Sequence, residues 1–89
     1  MNLQDTLYNW LSIRKVSQER ADDKAAIETF EFFDLMLRED HHVSDIDIVI
    51  DPPMYIVHYT IEGEKQKTQF PIELIDSLFE SIHAEPKYN

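Results

Sequence analysis

Eighty-nine residues, 43% of them hydrophobic and 29% charged, suffice for one folded domain and leave no room for a second core beside a cofactor cleft. The absence of cysteine excludes disulfides, thiolate metal sites and cysteine nucleophiles, and a single glycine excludes the glycine-rich phosphate loops. Eighteen acidic residues against eight basic ones give a net charge of −10, which repels nucleic-acid phosphates and anionic membranes and favours a basic protein partner.

The acidic excess is uneven. Residues 17–51 hold eleven acids and three bases, a net −8, whereas residues 1–16 sum to +1 and residues 52–89 to −3. The N-terminus has neither a basic nor a continuous apolar leader region, and no apolar run approaches the length of a membrane span, so a cytoplasmic protein is expected.

Leu3, Leu7, Trp10 and Leu11 recur at helical spacing and predict a helix over 2–16, with Asn2 as N-cap, Asp5 in the first turn, and Arg14 and Lys15 near the other end. Trp10 lies at the centre of this stripe and is expected in the core. Ser17 to Arg20 break the rhythm, and Ala21 to Arg38 predicts the longest helix, capped by Ser17 or Asp22. Ala26, Phe30, Phe33 and Leu37 form its main stripe. Phe32, Leu35 and Met36 fall outside it, so this helix should contact two bodies. The expected pair is the sheet and the first helix, with a second subunit as the alternative.

Asp45 to Phe70 reads as a three-stranded antiparallel meander. Ile46, Ile48 and Ile50 alternate with aspartates, and Tyr55, Val57, Tyr59 and Ile61 continue the period of two. A loop from Asp51 to Met54 would set Ile50, Ile48 and Ile46 opposite Tyr55, Val57 and Tyr59, and Pro52-Pro53 predicts that it is wide, since proline cannot take positive φ. A type II′ turn at Gly63-Glu64 would pair Glu62 with Lys65, Thr60 with Lys67 and His58 with Gln69, leaving Gln66, Thr68 and Phe70 on the inner side. Pro71 then opens a closing helix with Ile72, Ile75, Leu78, Phe79 and Ile82 as its stripe, and residues 84–89 form a frayed tail. The expected architecture is a single α+β domain spanning 1–89, in the order α-α-β-β-β-α, with the helices mainly on one face of the sheet.

The segment from Met54 to Tyr59, through Gly63-Glu64-Lys65 to Phe70-Pro71 and the apolar residues Ile75 to Ile82, resembles the C-terminal half of the YkuJ-like proteins, small and functionally uncharacterised proteins of Gram-positive bacteria. The resemblance implies a small sheet-and-helix domain and supplies no catalytic residue.

Two surfaces are candidates for function. The outer sheet face would carry Asp45, Asp47, Val49, Ile56 and His58, with Asp47 opposite His58, and the second helix offers Phe32, Leu35 and Met36. Both suit a non-enzymatic interaction or regulatory module without a cofactor, whose partner is a basic protein or a second copy of the chain. Two alternatives remain open. One is an acidic inhibitor, immunity protein or nucleic-acid mimic that occupies a basic target. The other is a small metal-dependent hydrolase using the His41, His42 and His58 region with Glu39, Asp40, Asp45 and Asp47 nearby, although the spacing matches no metal motif.

Overall fold

The computed structural model describes residues 1–77, in the order α1 (Leu3–Glu19), α2 (Lys24–Glu39), β1 (Val43–Asp51), β2 (Met54–Ile61) and β3 (Glu64–Pro71), with a further helical segment over 72–77. The α+β meander is present: three antiparallel strands in the order β1-β2-β3, with the helices on one face. Leu78, Phe79, Ile82 and the tail at 84–89 lie outside the described residues.

Helix α1 starts at its expected cap, where the Asn2 side chain accepts the Asp5 N–H at 2.8 Å. It runs past Val16 to Glu19, so Ser17 is inside the helix, where its hydroxyl bonds the Arg14 carbonyl. Arg14 and Lys15 therefore lie a turn before the end. The cap of α2 is Asp23, rather than Ser17 or Asp22, and it accepts the Ala26 N–H at 3.2 Å. Arg20 bridges the short connection by an ion pair to Asp23.

Helix α2 makes both expected contacts, with α1 and with the sheet at β1, but α1 is the more deeply buried of the two helices. Six residues of α1 are buried (Thr6, Leu7, Trp10, Leu11, Ser12 and Val16) but only Ala26 and Leu37 of α2, so α1 is the element covered from both sides. One side meets the sheet: Tyr8 approaches the ring of Phe70 at 6.3 Å, and Thr68 donates to Gln4 at 3.2 Å. The other meets α2, where Trp10 stacks near Phe30 at 5.6 Å and gives its indole N–H to Asp34 at 3.2 Å. Trp10 is thus a core residue whose one polar atom is satisfied. Helix α2 touches α1 and β1, and its second apolar face stays open.

The β1–β2 ladder pairs Asp51 with Met54, Ile50 with Tyr55, Ile48 with Val57 and Asp47 with His58. The hairpin closes in two residues through a cis Pro52-Pro53 bond, so the wide loop expected there is absent. Beyond Asp47 the register shifts. Ser44 pairs with Thr60 and Val43 with Ile61, leaving Asp45 and Ile46 opposite Tyr59 alone. This is a β-bulge with Asp45 at φ 52°, and it inserts a half-period into the strand, so that Val43 and Ile46, three apart, both face inward.

The second hairpin turns at Glu62-Gly63, not Gly63-Glu64. Both residues have positive φ, 49° and 82°, which is the type I′ requirement, and Ile61 pairs with Glu64. The β3 register is therefore two residues from the expected one, with His58 opposite Lys67 and Thr60 opposite Lys65. A two-residue slip preserves the faces, so Phe70, Thr68 and Gln66 remain on the inner side. Pro71 ends β3 instead of starting the helix, which opens with the Ile72 N–H donating to the Pro53 carbonyl at 2.9 Å.

Leu7, Trp10, Leu11, Leu37, Val43, Val57, Tyr59, Phe70 and Ile75 form the core, with Ile46, Ile48 and Tyr55 packed against it. Ile50, expected on the inner face, lies beside the turn of the first hairpin and is 65% exposed.

Two stability effects follow from these positions. Replacing Glu62 by asparagine, which tolerates positive φ, should raise the unfolding free energy by about 0.5–1 kcal/mol, read as a higher denaturant midpoint at unchanged m-value; a lower midpoint would contradict the turn geometry. Ser12 Oγ is buried without a hydrogen-bond partner among the described residues. Ser12→Ala should therefore be stabilising or neutral within about 1 kcal/mol, and a loss larger than that in urea unfolding would show a partner for the hydroxyl.

Candidate functional site

The outer face of the sheet is built by the residues that alternate with the core. Asp47, His58 and Lys67 stand on one rung, and Val49, Ile56 and Gln69 on the next. Asp47 and His58 are neighbours as expected, yet no ion pair or hydrogen bond joins them among the described residues. Asp45, at the bulge, shares a shallow recess of about 400 Å³ with His58, Thr60 and Lys65. Acids thus occupy the β1 side of this face, lysines the β3 side, and apolar Met54, Ile56 and partly exposed Val49 (41%) one end.

On α2, Phe32 and Leu35 are each 57% exposed, and together with Met36 they line an apolar groove bordered by Glu39 and Asp40. Phe32 also packs edge-on against Phe33 at 5.3 Å, which orients its ring. Met36 is half-buried because its sulfur reaches the Thr6 hydroxyl of α1 at 3.7 Å.

The histidines of the hydrolase alternative occupy different settings. Thr6 gives its proton to the Asn2 carbonyl at 2.8 Å, and the Nε2 of His41 lies within hydrogen-bonding distance of the same hydroxyl at 3.3 Å, which ties His41 to α1. His42, with φ 58°, forms the left-handed exit from α2 and is exposed. His58 stands on the outer face of the central strand. Among the described residues no three histidine, aspartate or glutamate side chains converge as a metal site.

A polar cluster that sequence reasoning missed lies on the covered side. Tyr55 donates its hydroxyl to Asp76 at 3.1 Å, and Lys15 approaches the other carboxylate oxygen at 3.6 Å. Burial pushes the Tyr55 phenol above its ordinary 10.0, the hydrogen bond and charge of Asp76 push it further, and Arg14 opposes them. Leu11, Ile48, Ile50 and Ile75 surround a recess beside this cluster. Residues 15, 55 and 76 are far apart in sequence, and only the packing of α1 against the sheet brings them together.

No family model, curated protein or solved structure matches the chain.

The raised phenol value gives a pH dependence of definite sign. Its stabilising contribution is complete below pH 10 and is lost as pH rises through the folded-state value. In Asp76→Asn the tyrosinate absorbance transition of Tyr55, assigned by difference from Tyr55→Phe, should move down. An unchanged transition would refute the Tyr55–Asp76 bond.

Proposed function

We propose that the protein is a small, non-enzymatic interaction module of the cytoplasm that takes a basic segment of a partner protein onto the apolar groove of α2. The observation that carries this reading is the pair Phe32 and Leu35, more than half exposed on a helix whose other face is fully used. Contiguous exposed apolar side chains rimmed by polar residues are a recurring feature of protein contact sites.

The border of the groove specifies the chemistry of the occupant. Glu39 and Asp40 lie at its edge, and Glu28 and Glu31 are exposed on the same helix, within the segment of net −8. A partner helix with two or three apolar anchors and lysines or arginines around them fits both features. Among the described residues no helix is long and apolar enough to cross a membrane, which accords with a module that meets its partner in solution.

The test is an amide NMR titration with a basic amphipathic peptide. Shifts should concentrate on Phe32, Leu35, Met36 and Glu39, weaken with salt, and disappear in Leu35→Glu. Shifts spread evenly over the surface, or none at all, would overturn the proposal.

A further inference from the structure

The outer face of the sheet carries a charge pattern with a specific symmetry. Read across the strands, Asp47, His58 and Lys67 form one rung, and Ser44, Thr60 and Lys65 form the rung beside bulged Asp45. Strand spacing places the aspartate and lysine edges about 10 Å apart, with the His58 and Thr60 side chains of β2 between them. All four charged side chains are exposed, and none makes an ion pair among the described residues.

We infer that this face is a docking surface for a second copy of the chain. The mode is two sheets packed face to face about a two-fold axis that runs parallel to the strands through β2. That operation lays β2 on β2 and β1 on the β3 of the other copy while keeping each rung at its own height. Asp47 then meets Lys67 of the second copy, and Asp45 meets its Lys65, with each pair repeated by symmetry. Met54, Ile56 and His58 fall on the axis and meet themselves, so two apolar side chains lie at the centre of one half of the contact. A two-fold axis across the strands would instead stack β1 on β1, with aspartate facing aspartate. The charges therefore select one of the two symmetric arrangements.

The sheet edges point the same way. Lys65 and Lys67 on β3 and the bulge at Asp45 on β1 are features that oppose strand addition, so the edges are guarded while the face is not. This contact lies on the opposite side of the sheet from the helical layer and does not depend on the proposed use of α2.

Three strands and seven rungs give a footprint of roughly 350 Å² per copy, well below the ~800 Å² of a standard interface. The complex is accordingly weak and is to be sought at high protein concentration. Each copy carries −10, so the salt should be about 0.1 M, where overall repulsion is screened over ~10 Å while direct pairs persist.

Sedimentation equilibrium on wild type, Asp47→Lys, Lys67→Asp and an equimolar mixture of the two variants tests the arrangement. Wild type should show a reversible monomer–dimer equilibrium, each variant alone should weaken it at least ~tenfold through like-charge contacts, and the mixture should restore it as a heterodimer. Wild-type amide shifts that change with concentration should fall on Asp47, Ile56, His58 and Lys67, a measurement that needs no variant. A strict monomer, a dimer that both variants retain, a tighter dimer in Lys67→Asp, failure of the folded variants to combine, or shifts on α2 would each overturn the inference.

Discussion

A three-stranded sheet has two faces, and α1, lying across Val57, Tyr59 and Phe70, covers one of them. That one-sidedness governs the rest of the molecule. The covered face needs α1, and α1, once laid on the sheet, exposes a second stripe that α2 must shield through Trp10, Phe30 and Asp34. Among the described residues no third layer covers the far side of α2 or the far side of the sheet. The two candidate surfaces are the two ends of one stack of layers.

The core is apolar with a few anchored polar exceptions. The Trp10 indole of α1 reaches Asp34 of α2, and the Thr6 hydroxyl of α1 lies 3.3 Å from the Nε2 of His41, beyond the end of α2. Such contacts fix helix rotation, because each is satisfied only in one facing. Tyr55, Asp76 and Lys15 do the same for the start of the last helical segment against α1. Polar fastening therefore sits at each seam between elements, and apolar burial fills the space between the seams.

Much of this arrangement was legible from residue order. The alternation of Ile46, Ile48 and Ile50 with aspartates announced β1, Asn2 announced the start of α1, and the Ile48–Val57 and Asp47–His58 pairs followed from where the first hairpin had to turn. The turns themselves were harder. Residue order leaves Pro52-Pro53 compatible with a wide loop, and Glu62 carries no signal for positive φ, so sequence favours a second turn one residue later than the observed one. The faces survived because the resulting slip was even. The balance between α1 and α2 was not legible, since periodicity shows that a helix has an apolar stripe but not how many neighbours will cover it. Phe32, Leu35 and Met36 are visible as misfits to the stripe, but the exposure of Phe32 and Leu35 follows from how α2 is turned against α1. The Tyr55 cluster joins three distant segments and has no local pattern at all.

The bulge at Asp45 has a consequence for how the two halves of the chain are joined. A regular strand is a rigid ruler: the parity of its first residue dictates the parity of its last. By spending one residue outside the ladder, β1 becomes two rulers in opposite phase, one ending at Ser44 and tied to the helical hairpin, the other beginning at Ile46 and tied to the sheet. The helical half can thus dock Val43 and Leu37 together without dragging Ile46 and Ile48 to the solvent side. In mechanical terms Asp45 is a coupling that transmits position but not phase, so the helical and sheet halves can each keep their own hydrophobic periodicity.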